Sequence, residues 1–192
     1  MPSTSSPKQR LFSRYIKELP PGELIWIGLR PAHKVDMIAV ESVQAIAELG
    51  LEGDHRMEKT PGSGRQVTLI SEEYIGQIRH FLSLSSSLTS PLASSINSPG
   101  ERVVLPQQLR RNLVIKGVNL TALRYQRFSI GDAIFEAGAL CHPCTRMEKA
   151  LGKGAIAAMM GHGGLCLKVV KSGKIALGDS VVLLKPADQE GH

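Results

Sequence analysis

Short extended runs separated by glycine and proline turns dominate this chain and limit the folds open to it. The clearest run is RQVTLI at residues 65–70, whose β-branched and apolar residues predict a strand. Comparable runs predict strands at residues 22–29, 35–40, 113–115, 128–130, 133–139, 165–170 and 180–184. We therefore predict a mainly β (α+β) fold, a closed β-barrel of short mixed strands with a few small peripheral helices.

Helical patterns are fewer and shorter. Ser71 is a suitable N-cap, and the acidic pair that follows it precedes apolar residues at helical spacing through Leu82. Two further short helices are predicted at residues 145–151 and 155–160. Residues 44–49 are ambiguous, because Ala and Glu favour a helix but the run ends at Gly50. Turns are predicted at residues 172–173 and 178–179.

The predicted organisation is one domain with two tails. Residues 1–21 form an N-terminal tail and lead-in, residues 22–185 the barrel domain, and residues 186–192 a C-terminal tail. Residues 83–100 are rich in Ser and contain two prolines, so we interpret them as a flexible surface insertion within the domain.

Composition narrows the classes of partner. The formal net charge is +6, but only 4% of the residues are aromatic, which argues against a stacking platform for single-stranded nucleic acid. We expect a small, phosphorylated ligand rather than nucleic acid, and no membrane partner, because no apolar run is long enough to span a bilayer. Three cysteines do not form a disulfide framework, and no signal peptide is visible, so we expect the cytoplasm.

The segment CHPCTR at residues 141–146 joins a predicted strand to a predicted helix. A thiolate near a helix N-terminus and a cation has a lowered pKa, so Cys141 or Cys144 could bind a soft metal or attack a substrate. A structural zinc site is a second interpretation, with His162 and Cys166 completing the set. Inert packing of the thiols is a third, and we expect it for Cys166.

Arg65 and the pair Arg110–Arg111 flank predicted strands, where their guanidinium groups could reach one pocket. Arginine suits phosphate because it stays charged and presents parallel donors. Asn112 adds donors and an acceptor that can contact a heterocycle. Asp54 and His55 follow a glycine, which favours a role in a turn.

Taken in order, several segments resemble the MOSC domain, a family named for the C-terminal domain of molybdenum cofactor sulfurases. The matching segments are GLEGDHR at 50–56, RQVTLI at 65–70, RRNLV at 110–114, the Gly131–Asp132 turn, residues 141–146, and residues 173–179. The resemblance covers about residues 22 to 185. It implies a barrel fold and a role connected with the pterin-bound molybdenum cofactor.

The resemblance also implies site residues. Cys144 matches the key cysteine of the family, as molybdenum ligand or sulfur-carrying thiolate. The implied contacts to the molybdopterin-type cofactor are Arg65, Arg110, Arg111, Asn112, Cys141, His142, Thr145 and Arg146.

The leading hypothesis is a molybdenum-dependent reductase of N-hydroxylated compounds, with a small-molecule substrate and an electron-donor protein. The alternatives are a sulfur carrier loaded by a cysteine desulfurase that depends on pyridoxal phosphate, and a non-enzymatic, zinc-stabilised binding module. A homodimer that closes the pocket is also considered.

Overall fold

The computed structural model describes residues 19–59, 61–87 and 103–184, together with Leu11 and Ile16. The strands, in chain order, are β1 Gly22–Leu29, β2 Ile38–Val40, β3 Ser42–Ile46, β4 Gly50–Leu51, β5 Val67–Ser71, β6 Leu113–Lys116, β7 Arg127–Ile130, β8 Ala133–Leu140, β9 Leu165–Lys171, β10 Gly173–Ala176 and β11 Ser180–Leu183. The helices are α1 Glu72–Ser87, α2 Pro106–Leu109, α3 Thr145–Leu151 and α4 Ala155–Met159. Short 3-10 helices lie at His55–Glu58 and Leu120–Leu123.

Within these residues, seven strands close into a barrel. They follow the order β11, β7, β8, β9, β5, β6 and β1, and β1 returns to β11 through Gly22 and Val181. The β5–β6 pair is parallel and the other barrel pairs are antiparallel. Strand β2 extends the sheet beyond β1, and β10, β3 and β4 form a separate three-stranded sheet. The predicted closed, mainly β-barrel is confirmed.

Side chains alternate between the two faces of each strand, and those on the inner face fill the barrel. Val67 and Leu69 of β5 point inward and join a core that also contains Phe128 and Phe135. Ile70 points outward into a second cluster, where the apolar stripe of α1 covers it. Every residue of β5 is buried because both of its faces are covered.

Several predicted elements agree closely with the structure. Strand β1 and helix α3 have the predicted bounds. The hydroxyl of Ser71 accepts a hydrogen bond from the backbone N–H of Tyr74 at 3.2 Å, which confirms the helix start. The ambiguous run 44–49 is half strand β3 and half turn, and a strand, β10, begins at the second residue of the predicted 172–173 turn.

Helix α1 continues to Ser87, so residues 83–87 of the predicted insertion are helical and not loop. Residues 88–100 of that insertion, most of the predicted N-terminal tail and the whole predicted C-terminal tail lie outside the described residues. Among the residues that the structure describes, no helix combines the length and apolar character needed to cross a membrane.

Candidate functional site

The turn between β8 and α3 is clamped against the segment that precedes β9. The backbone N–H of Cys141 donates to the carbonyl of Gly164 at 2.8 Å. The guanidinium of Arg111 donates to the carbonyls of Gly163 at 2.7 Å and Cys141 at 3.3 Å. A Cβ at Gly163 would lie 2.1 Å from the carbonyl oxygen of Cys141, so this close approach requires glycine.

The two cysteines of the turn differ in environment. Cys144 is exposed and directly precedes helix α3, whereas Cys141 is buried. The Sγ of Cys141 accepts a hydrogen bond from Nη2 of Arg65 at 3.4 Å. The accessible sulfur therefore belongs to Cys144, and the sulfur in contact with a guanidinium belongs to Cys141.

Cys141 has a second sulfur beside it. A hydrogen bond from the thiol of Cys166 lowers the pKa of Cys141 to about 5, with help from the positive charges of Arg111, Arg65 and Arg56. The same hydrogen bond and burial raise the pKa of Cys166. These two shifts favour the thiolate on Cys141 and the proton on Cys166. Cys166 is buried in the core, as expected, and the inertness of its thiol stays a prediction.

A buried polar network lies next to the cysteines, on the outer face of β5. Asp54 accepts hydrogen bonds from Nε of Arg30 at 3.0 Å and from Nδ2 of Asn112 at 2.7 Å. The Oδ1 of Asn112 accepts from Nη2 of Arg30 at 2.6 Å and from the hydroxyl of Thr68 at 2.9 Å. Thr68 is the register partner of Cys166, so this network adjoins the sulfur pair.

Two of the residues expected to contact a ligand, Asn112 and Arg111, have internal hydrogen-bond partners. The amide of Asn112 donates to Asp54 and to the carbonyl of Gly28 at 3.0 Å, and its oxygen is also occupied. The guanidinium of Arg111 is buried and donates to three backbone carbonyls. Both side chains therefore hold the walls of the site, because buried polar groups keep the partners that satisfy them.

Asp54 has the turn-forming role expected of it, since its side chain accepts from the backbone N–H of Arg56 and caps the 3-10 helix. It also carries the charge opposite Arg30. Burial alone would raise the pKa of Asp54, but the charge of Arg30 and the N–H groups of Arg56 and Arg30 outweigh burial and lower it. Arg30 was not predicted as a site residue from the sequence. The available signal for it was its position at the end of β1, directly before Pro31.

Arginines surround this network. The set comprises Arg30, Arg56, Arg65, Arg110, Arg111 and Arg146, which we call the arginine cluster. Burial, together with the nearby charges of Arg30 and Arg65, lowers the pKa of Arg56. Burial and the charges of Arg30 and Arg146 do the same for Arg110, which stands in a left-handed conformation at φ 54°. The Nε of Arg56 is buried and has no hydrogen-bond partner among the described residues, so the cluster has unused capacity for an anion.

The remaining predicted residues lie on the exposed side of the cysteine turn. His142, Thr145 and Arg146 are exposed, and Arg65 is exposed as well. The structure thus brings Arg65, Arg111 and Cys141 into one contact set and leaves His142 and Thr145 at its rim. Arg56, quoted within the GLEGDHR segment, belongs to the cluster although it was not proposed as a contact.

The zinc interpretation fails. Across the described ranges, no group of three or more His, Cys, Asp or Glu side chains is placed to hold a metal ion. Cys141 and Cys166 are buried, whereas Cys144 is exposed and Nδ1 of His162 lies 3.1 Å from the carbonyl of Met160. A tetrahedral set from these four residues does not form.

Comparison with solved structures supports the fold. The YuaD protein from Bacillus subtilis superposes with a TM-score of 0.66 at 15% identity, over 86% of this chain and 97% of that chain. YiiM from Escherichia coli gives 0.56 at 19% identity, over 85% and 70%. YiiM from Geobacillus stearothermophilus gives 0.58 at 13% identity, over 85% and 75%. A comparison with curated proteins gave no match.

The family model for the MOSC domain matches residues 56–182, more than half of the chain. This span contains the cysteine turn and most of the arginine cluster. The MOSC family is associated with proteins that bind the molybdenum cofactor. With the barrel and the ordered motifs in agreement, the chain belongs to the MOSC domain family.

Proposed function

We propose that this protein binds the molybdenum cofactor at the arginine cluster, uses Cys144 as the thiolate ligand of the metal, and reduces N-hydroxylated compounds. One observation carries the proposal. Several guanidinium groups lie beside Cys141, in the turn that also carries the exposed thiol of Cys144, and among the described residues the buried Nε of one of them lacks a partner. The phosphate of a pterin carries the negative charge that pairs with these guanidinium groups.

The residues present fit such a group. Arg56, Arg65, Arg110 and Arg146 have guanidinium groups partly or fully open to solvent, and they would hold the phosphate and the pterin edge. Arg30 and Arg111 hydrogen-bond to partners inside the protein, so they add positive charge to the site from fixed positions. The Cys144 thiol is a soft ligand suited to molybdenum that arrives already held by the pterin. When bound, the cofactor supplies the two-electron chemistry at the metal.

The protein's own part is binding and orientation. The clamp from Arg111 to the carbonyls of Gly163 and Cys141 fixes the turn that presents Cys144. The Asp54–Arg30–Asn112 network fixes the wall behind it. Preorganised donors and a fixed thiolate keep the geometry of the site from changing as a ligand binds.

Metal and pterin analysis of the purified protein tests this proposal. Protein produced in a host that makes the cofactor should contain molybdenum and pterin. Cys144→Ser should lose most of the molybdenum, and Arg56→Gln should lose both components. Arg127→Gln is the matched control, because this arginine pairs with Glu136 away from the cluster. Native protein without either component, or equal loss in all three variants, contradicts the proposal.

A sulfur carrier is the second candidate, favoured by the exposure of Cys144. An accessible thiol at the start of a helix can accept persulfide sulfur from a separate desulfurase that depends on pyridoxal phosphate. Incubation with such an enzyme and cysteine should then add one sulfur atom at Cys144, detected by mass spectrometry and reversed by a reductant. The same adduct on denatured protein would show that the thiol is merely reactive.

The two candidate functions differ in the partner protein that they require. A reductase needs an electron-donor protein, and a sulfur carrier needs a desulfurase. Both functions are compatible with the expected cytoplasmic location. The three cysteines are free thiols, as a reducing compartment favours. A homodimer stays a prediction, and sedimentation of the purified chain with and without the cofactor measures it.

A further inference from the structure

The sulfur of Cys141 is hydrogen-bonded to a member of the arginine cluster that has no acidic side chain as a partner. Nη2 of Arg65 donates to the Cys141 Sγ at 3.4 Å. Within the part of the chain that the structure describes, Asp54 is the carboxylate that forms an ion pair with an arginine of the cluster, and its partner is Arg30. Positive charge at the site is therefore in surplus, and Cys141 is the acidic group that Arg65 contacts.

The sulfur is held in place, whereas the guanidinium that contacts it is free to move. The backbone N–H of Cys141 donates to Gly164, its carbonyl accepts from Nη2 of Arg111 at 3.3 Å, and the residue is 1% exposed. Arg65 is an exposed residue, and the Cys141 sulfur is the partner given for its guanidinium among the described residues. An anion can therefore draw Arg65 away while the sulfur stays in position.

A second observation points to an anion at this position. Nη1 of Arg56 donates to the carbonyl of Arg65 at 3.3 Å, so the two arginines are neighbours. The Nε of Arg56 is buried and lacks a hydrogen-bond partner within the described ranges. A buried donor without an acceptor is costly, and an oxyanion between the two guanidinium groups would supply that acceptor. The same oxyanion would compete with the Cys141 sulfur for Arg65.

We propose that the Cys141 sulfur is the resident counter-ion of the arginine cluster, and that the doubly charged phosphate group of a ligand displaces it from Arg65. A thiolate carries one charge, so a dianion binds the guanidinium groups more strongly, whereas a monovalent ion gains little over the sulfur already present. The displaced thiolate stays buried and takes up one proton from solvent, which forms the neutral thiol. This inference rests on the proposed function for the position of the anion, but no metal takes part in it.

Proton uptake on anion binding tests the proposal in the native, cofactor-free, full-length protein. The probe is inorganic sulfate, which keeps both charges between pH 4.5 and pH 8, and calorimetry in two buffers of different ionisation enthalpy counts the protons. The pKa of Cys141 is lowered to about 5 by its hydrogen-bonding and charged neighbours, which are, in order of effect, Cys166, Arg111, Arg65 and Arg56. At pH 6.5, binding should take up about 0.5 proton or more beyond the uptake of Cys141→Ser. Native protein that takes up less than about 0.2 proton per sulfate would overturn the proposal, whether or not the variant folds.

The dissociation constants give a second readout that a merely structural role of Cys141 would not change. Cys141→Ser lacks the charge, so it should bind sulfate at least about fivefold more tightly than native protein at pH 7, and within about twofold of it at pH 4.5. Protonation of nearby histidines affects both proteins, so the ratio of the two constants isolates Cys141. Arg65→Gln should weaken binding, whereas Arg127→Gln, the matched control, should bind like native protein.

The outcomes separate this inference from the proposed function. Equal affinities of native protein and folded Cys141→Ser at pH 7, tighter binding by native protein, or no sulfate binding would each overturn the inference. Purified protein without molybdenum contradicts the proposed function and leaves these titrations unaffected.

Discussion

Asp54 shows how one carboxylate serves both the local chain and the site. Its oxygens cap the 3-10 helix through the N–H of Arg56 at 3.0 Å and bind the guanidinium of Arg30 at 3.0 Å. Both Asp54 and Arg30 are buried, so neither charge has water as an alternative partner. A buried pair of this kind is costly to break from one side, because the remaining charge stays uncompensated.

Asp54→Asn is therefore expected to lower the free energy of unfolding at neutral pH by about 3–5 kcal/mol. Glu136→Gln is the matched control, because it breaks a partly exposed pair with Arg127 and should cost less than about 1 kcal/mol. Urea unfolding of the three proteins measures both effects. Equal losses in the two variants would contradict the role given to burial.

The pH dependence of this difference has a defined sign. The pKa of Asp54 is lower in the folded protein than in the unfolded chain, so its contribution is complete above the unfolded value of about 3.9. The contribution decreases as the pH falls through the folded value. The stability gap between the native protein and Asp54→Asn should be constant from about pH 7 to about pH 5 and narrow below about pH 4. A gap that is unchanged in acid would contradict this assignment.

Sequence reasoning brought several residues to one site but gave no information about their partners within the fold. Arg65 and Cys141 were predicted as neighbours of one site, and they are in contact at 3.4 Å. Asn112 and Arg111 were expected to face a ligand, but they turn inward because Thr68 and Gly163 supply partners across the fold. Those partners are far away in the chain, so local sequence gives no information about the direction of either side chain.

The same limit applies to secondary-structure elements. Strand β1 and helix α3 were predicted with their observed bounds because their signals are local: a continuous apolar run in β1 and a helix start after Pro143 in α3. Strands β3 and β10 depend on each other, since Gly173 pairs with Ala45 across most of the chain. A run such as GKIA has little strand propensity by itself, so only the partner strand makes it extended.

Two glycines test how far the elements at the site tolerate a side chain. Gly163→Ala places a Cβ 2.1 Å from the Cys141 carbonyl, so it should cost about 1–3 kcal/mol in unfolding free energy. Gly76→Ala, in helix α1, meets no atom within 4 Å and should stabilise the protein by up to about 1 kcal/mol. Denaturant unfolding of both variants measures these opposite effects.

A second measurement connects Gly163 with the sulfur. Displacing the turn moves Cys141 away from Arg65 and Arg111, so Gly163→Ala should raise the pKa of Cys141, followed by thiolate absorbance in a Cys144→Ser background. Gly76→Ala should leave that titration in place. An unchanged titration in Gly163→Ala would show that the close approach does not position the thiolate.

At the scale of the whole molecule, closure of the barrel joins the two ends of the described domain. Strand β11 pairs with β1 through Gly22 and Val181, and with β7 through Ile130. The site residues come from β1, β5, the segment before β6 and the turn after β8. Their positions relative to one another are fixed only while the barrel is closed. Arg30 at the end of β1 is thus held in place by the pairing of β1 with its neighbours.

Adjacent valines of β11 give a matched test of this closure. Val181 is 2% exposed and points into the barrel, whereas Val182 is 42% exposed on the other face. Val181→Ala should lower the unfolding free energy by about 1–3 kcal/mol through lost burial and an internal cavity, while Val182→Ala should stay within about 0.5 kcal/mol. Because β11 closes the ring, Trp26 fluorescence and far-ultraviolet circular dichroism should report the same shifted midpoint. A Trp26 transition that separates from the circular dichroism in Val181→Ala would show that the β1–β11 seam opens independently, and Arg30 would then lack the rigid support that the site requires.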